Sequence, residues 1–143
     1  IRLMLRFLPF AQEHVQHIKL MFDLSEDGRK ALVEHKDIRG YTLFEEDVVL
    51  GIGGVHNIWQ GVGEAWLLLG KEAFARPTTV ARHTCNMFDH MQEEYEYQRI
   101  QASISVKDAK AKRFAEWLGF QNEGIMKKYG PDGSDYYRYA RVM

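Results

Sequence analysis

Glu64, His56 and Tyr129 are side chains of the types that move protons, each set where a strand or a hairpin would hold it. Glu64 heads the stretch EAWLLLG, where a carboxylate can take a proton directly or through a water. His56, in GGVHNIW, carries the side chain whose ordinary titration range spans neutrality. Tyr129, which opens YGPDGS, brings a phenol that can serve as an acid. Each has a plainer alternative: a carboxylate exposed at a hairpin end, a packed or solvated histidine, a tyrosine of the core or its rim.

A second group is basic. Lys107, Lys110, Lys112 and Arg113 crowd the start of a helix, where positive charge opposes the dipole at a cost of up to about 1 kcal/mol per residue. A phosphate partner explains that placement; so does a solvated face with Asp108 and Glu116 as counter-charges. Metal chemistry finds less support. His83, Cys85, Asp89 and His90 have ligand atoms, and His14 lies one turn from His17, but no H-E-x-x-H or C-x-x-C pattern occurs, so no metal is expected. Gly51, Gly53 and Gly54 lie inside a strand-like run and lack the G-x-G-x-x-G helix context, which points to a bulge or a close neighbour. Cys85 has no base beside it in sequence and reads as a buried thiol.

The elements that must position these groups form one domain, residues 1–143, of a size that needs no disulfide or metal staple. Lys plus Arg number 19 against 20 Asp plus Glu, so no global field draws nucleic acid or an anionic membrane, and any basic site is local. A single cysteine gives no sign of an oxidising compartment, and a cytoplasmic setting is expected. No apolar run nears the roughly 20 residues of a membrane span, and IRLMLRFL is too short and charged for a signal-peptide core. The chain begins on Ile1 rather than methionine, and residues are expected to precede it.

Alternation of Ile1, Leu3, Leu5 and Phe7 with basic groups predicts a strand over 1–8. Val15, Ile18 and Phe22 share one face of a helix, and Ser25 with Glu26 and Asp27 starts a second, shorter one through about Val33. Three antiparallel strands follow near 41–45, 48–58 and 63–70, the last continuously apolar and therefore central. Val80, Thr84, Met87, Phe88, Met91 and Tyr95 predict the longest helix, after Pro77. Strand 99–106 comes next, parallel to 63–70 through a right-handed crossover. Asp108 caps a helix with Ala111, Phe114, Ala115 and Leu118 inward, Gly119 closes it, and strands 120–129 and 135–142 flank a turn at Gly130–Gly133. The order is β-α-α-β-β-β-α-β-α-β-β: an α+β fold, a mixed sheet of six to seven strands flanked by about four helices.

That order, with AKRFAEWLGF at 111–120, resembles the GNAT superfamily of acetyl-CoA-dependent N-acetyltransferases over nearly the whole chain. The family carries an Asn, an Ala three residues on, an aliphatic–Tyr pair and a Leu-Gly-Phe ending; the matching positions here are Asp108, Ala111, Phe114, Ala115, Leu118, Gly119 and Phe120. A narrower likeness is to small GNAT-like proteins of tailed phages, through Trp66 and Arg113-Phe114. The resemblance implies that the fourth and fifth strands splay and that a pantetheine arm bonds their backbone as an added strand would. Leu67, Leu68 and Leu69 would then bind the coenzyme, with Ala102 to Ser105 opposite, and Arg76, Thr78, Thr79, Lys110 and Arg113 would meet its phosphates. Glu64 is the first choice of base, His56 the second, and Tyr129 a substitute acid.

Two departures bear on that expectation. The family's glycine-rich phosphate loop is replaced by GKEAFARPTTVARH, with no glycine after Gly70 and a proline, Pro77, that lacks an N–H. The tyrosine that often protonates the thiolate is replaced by Ala115. Two functions remain open: an N-acetyltransferase moving acetyl from acetyl-CoA to an amine by direct attack, and a non-catalytic GNAT-like phage or prophage protein acting through macromolecular interaction. A homodimer is possible, with Tyr136, Tyr137 and Tyr139 either at an interface or covering the sheet.

Overall fold

The computed structural model describes residues 5–9 and 38–143. The two helices expected between residues 10 and 33, with His14 and His17, lie outside the described residues. The elements are β1 (Leu5–Pro9), β2 (Ile38–Glu45), β3 (Val48–Trp59), β4 (Val62–Leu69), a 3-10 helix (Lys71–Ala75), α1 (Pro77–Glu94), β5 (Arg99–Ser105), α2 (Ala109–Trp117), β6 (Gln121–Met126) and β7 (Tyr136–Val142). Among the described residues seven strands are ordered β1-β2-β3-β4-β5-β7-β6, with β4 fourth of the seven, and the class is α+β. Compactness divides the described residues into two units, one of 5–9, 38–57 and 66–80, the other of 58–65 and 81–143.

In the first unit β1 runs antiparallel to β2 from Leu5↔Glu45 to Pro9↔Tyr41. Pro9 has no N–H to give, which an edge strand tolerates. The β2–β3 ladder carries a bulge between Leu43 and Phe44 and brings Gly40 opposite Gly54. There a Cβ on Gly54 would stand 2.0 Å from the Arg39 carbonyl oxygen and 2.6 Å from Gly40 Cα, so the glycine run serves close backbone approach. Leu43, Leu50, Ala73 and Val80 form one buried cluster with Leu69 against it; Val49 and Ile52 form another with Phe44, Trp66 and Leu68.

In the second unit the expected parallel pairing of β4 with β5 is present at Val62↔Arg99, Gly63↔Ile100 and Glu64↔Gln101. On its other side β5 pairs antiparallel with β7 along its whole length, and β7 with β6. The inward face of α1 supplies Met87, Phe88 and Met91, each at most 5% exposed. Phe88 meets Phe120 edge-on with centroids 5.6 Å apart. Burial of each such side chain stabilises the fold by about 1.5–3 kcal/mol.

Helix α2 begins where Asp108 accepts the Ala111 N–H at 3.0 Å, satisfying one of the free donors of the first turn. It stops because Gly119, at φ 93°, takes the left-handed conformation, after which Phe120 returns to the core at 4% exposure. The Gly133 N–H closes the turn on the Gly130 carbonyl at 2.9 Å. Strand β6 is shorter than the expected 120–129, ending at Met126. The chain turns away at Lys128, which has φ 57° and donates its N–H to the Asp135 carboxylate at 2.9 Å.

Candidate active site

The ladder between β4 and β5 is three pairs long and ends at Glu64 and Gln101, whereas β5 runs on to Ser105. The other side of Ala102–Ser105 is held by β7, from Ala102↔Tyr139 to Ser105↔Tyr136. The edge of β5 at these residues is therefore past the end of its ladder with β4, while the opposite edge stays paired with β7.

Glu64 stands at the last pair of that ladder. Its carboxylate accepts from Arg138 Nη1 at 3.1 and 3.2 Å and from Ser103 Oγ at 3.2 Å. The Glu64 and Arg138 side chains are 28% and 22% exposed, so Glu64 is a half-buried, oriented carboxylate rather than a free hairpin end. Arg138 also donates through Nη2 to Met126 Sδ at 3.4 Å. Beside this group, Arg99 donates to the Glu123 carboxylate at 3.0 Å and to Gln101 Oε1 at 2.9 Å. The hydrogen bond and charge of Arg99 hold Glu123 below the usual carboxylate range, and Glu123 in turn raises Arg99.

The other residues singled out in the sequence are dispersed. His56 packs against Trp66 in the first unit, ring centroids 6.2 Å apart. Tyr129 lies at the outer end of the closing hairpin, 53% exposed and tilted on Tyr136 at 5.5 Å. Leu68 and Leu69 pack into the two clusters of the first unit, and Leu67, just before them, is partly buried. Arg76 is bridged to Glu45 at 2.8 Å, Thr78 is exposed at the start of α1, and Thr79 is half-buried. Lys110 and Arg113 are exposed on α2.

The expected counter-charges of the basic cluster also make hydrogen bonds of their own. Asp108 caps α2 through Oδ1, and Glu116 Oε1 accepts the Tyr139 hydroxyl at 3.1 Å. Lys107 approaches Asp132 at 3.8 Å, and Lys112 lies over the Tyr137 ring at 5.4 Å. Tyr139 is fully buried, so it belongs to the core and not to an outer interface. Sequence reasoning missed Arg138, Ser103, Arg99 and Glu123. The signal for the first three is the period-two polar face of RIQASIS and YYRYARV, which places Arg99, Gln101 and Ser103 on one face of β5 and Arg138 on β7 across from Ser103.

Among the described residues no group of three or more His, Cys, Asp or Glu is arranged to hold a metal ion, and no helix is long and apolar enough to cross a membrane. Cys85 is a free, half-buried thiol.

A mixed sheet whose β4–β5 ladder runs parallel for three pairs, with α1 between those strands in the chain and a β6–β7 pairing at the end, is an α+β arrangement. Residues 29–139 match the acetyltransferase (GNAT) domain, and the chain belongs to that family. Solved structures agree on the fold. Ard1 from Thermoplasma volcanium is 15% identical with a TM-score of 0.79, covering 97% of each chain. A GNAT-family acetyltransferase from Bacillus anthracis is 17% identical with a TM-score of 0.77, over 99% of this chain and 97% of that one. Ribosomal-protein-S5-alanine acetyltransferase from Vibrio fischeri is 17% identical with a TM-score of 0.73, over 96% and 92%. No curated protein matches the chain in sequence.

Proposed function

We propose that the chain, acting as one GNAT domain, binds acetyl-CoA and transfers its acetyl group to an amine by direct attack. The observation that carries this reading is the end of the β4–β5 ladder at Glu64 and Gln101, beyond which β5 continues, paired on its other side with β7. Such an edge suits a pantetheine arm whose amides bond main chain as an added strand does. Main-chain groups of Leu67, Leu68 and Leu69 contribute to holding the arm. Arg76, Thr78, Thr79, Lys110 and Arg113 serve the phosphates.

The amine nitrogen attacks the thioester carbonyl carbon, forming the C–N bond and a tetrahedral oxyanion that a backbone N–H of β4 stabilises. The amine proton passes through a water to Glu64, which is oriented for it by Arg138 and Ser103. Collapse breaks the C–S bond, and the departing thiolate takes its proton from Tyr129, whose exposed ring gives rapid exchange with solvent. The products are the N-acetylated amine and coenzyme A. His56, packed on Trp66, is the second choice of base.

A second reading has its own observation. Arg76 is already engaged by Glu45, and a 3-10 helix occupies 71–75 where the family's glycine loop would stand. A protein that keeps the fold and acts by contact with a macromolecule accounts for both. Thermal-shift titration with acetyl-CoA and with coenzyme A separates the two, because ligand at 100 times its Kd adds about 2.7 kcal/mol to the folded state. A rise in Tm, with thiol release in the presence of amines, is the expected result; an unmoved Tm favours the second reading. Homodimer formation through the closing hairpin is read in the same samples by sedimentation.

A further inference from the structure

Neither Arg138 nor Ser103 belongs to a motif in the sequence, yet both donate to one carboxylate. They face each other directly in the β5–β7 ladder, and Glu64 reaches them from β4. The bonds are unequally shared. Oε1 of Glu64 accepts from Ser103 Oγ and from Arg138 Nη1, whereas Oε2 accepts from Arg138 alone. Each carboxylate oxygen has two lone pairs, so Oε1 is filled and Oε2 keeps one open.

We propose that Arg138 and Ser103 are positioning residues that lock the Glu64 carboxylate so that Oε2 is the atom that receives the acceptor's proton. The inference rests on the acetyl-transfer reading above. A glutamate side chain left to rotate presents its two oxygens in many orientations, and holding one of them in place removes that search from the reaction. Arg138 is itself fixed at its other arm by Met126 Sδ on β6. Arg99, on β5, also acts on Glu64 electrostatically, but its Nε, Nη1 and Nη2 are turned to Gln101 and to Glu123 of β6, so Arg138 is the arginine bonded to Glu64.

The test follows coenzyme A thiol release with acetyl-CoA and a panel of primary amines, comparing wild type with Arg138→Gln, Arg138→Lys, Ser103→Ala, Glu64→Gln and the double variant Glu64→Gln/Arg138→Gln. Arg138→Gln is expected to lower kcat roughly 10- to 100-fold while the Kd for acetyl-CoA stays within about twofold. Arg138→Lys should recover part of the loss, and Ser103→Ala should lower kcat several-fold. The double variant should be no slower than Glu64→Gln, because a residue that acts through Glu64 has nothing left to position. Multiplicative losses in the double variant, or an unchanged kcat in Arg138→Gln, overturn the inference while leaving the function intact. A wild-type chain that neither binds acetyl-CoA nor releases thiol overturns both together. Should Arg138→Gln fail to fold by circular dichroism, Ser103→Ala decides alone, since it removes a donor with little change in volume.

Discussion

Arg138 of β7 and Glu64 of β4 are paired at 3.1 Å although β5 lies between their strands. The same geometry recurs one strand over, where Arg99 of β5 reaches across β7 to Glu123 of β6. Strands lie about 4.8 Å apart, so each bridge spans roughly 10 Å of sheet. A long guanidinium side chain covers that distance, and a small residue beneath leaves it room. Ser103 on β5 is such a residue, and on β7 alternation sets Ala140 on the face of Arg138. Two straddling pairs tie four strands together on one face, with Glu64 at the end of the row.

Glu64→Gln removes the proton acceptor and keeps its shape. Turnover with acetyl-CoA and an amine should fall about 100-fold or more, the usual contribution of a positioned base. The acetyl-CoA Kd should hold within about twofold in a thermal-shift titration. Equal turnover in the two proteins would move the base role to His56.

Glu45 competes with any phosphate for Arg76, to which it is bridged at 2.8 Å. Under the proposed function Glu45→Gln should tighten coenzyme A binding several-fold, and Arg76→Ala should weaken it, both measured as Tm against ligand concentration. Removal of an anion near a polyanionic ligand lowers repulsion as well as freeing the cation.

Acid should weaken the Arg99–Glu123 bridge in a defined direction. The Arg99 hydrogen bond holds Glu123 below its usual 4.5, so its contribution is present above that pH and is lost as pH falls through the lowered folded value. The pair is substantially exposed, and Arg99→Gln should cost about 0.5 kcal/mol at pH 7. Urea midpoints of the two proteins should draw together as pH falls through that lowered value.

Tyr139 governs the alkaline side. Burial, then the hydrogen bond to Glu116, push its phenol from 10 up to about 12. The neutral form is favoured in the fold, so this contribution is complete below pH 10 and lost as pH rises toward 12. Tyr139→Phe should cost about 1 kcal/mol at neutral pH, the worth of one hydrogen bond, and should lack this alkaline loss in pH-dependent chemical denaturation.

Gly54→Ala should be among the most damaging single changes. The new methyl would meet the Arg39 carbonyl oxygen at 2.0 Å, and relief requires β2 and β3 to part. A loss of about 3 kcal/mol or more is expected in urea unfolding, at the upper end of overpacking costs.

Local chemistry in the sequence was enough for most of the described elements. Period-two and helical spacing set β2 to β5, α1 and α2 within a few residues, Asp108 and Gly119 mark the ends of α2, and Gly130–Gly133 marks the last turn. The parallel neighbours β4 and β5 follow from the handedness of a crossover. These signals act over a handful of residues, so they survive without tertiary context. What Glu64 touches is different in kind. Arg138 lies 74 positions away, and the two meet only because strand order and register bring β4, β5 and β7 side by side. Arg76 facing Glu45, and Tyr139 turned into the core instead of outward, were likewise decided by assembly of the sheet. A strand's pattern tells which residues share a face, but the partner across that face is fixed only when the ladders close.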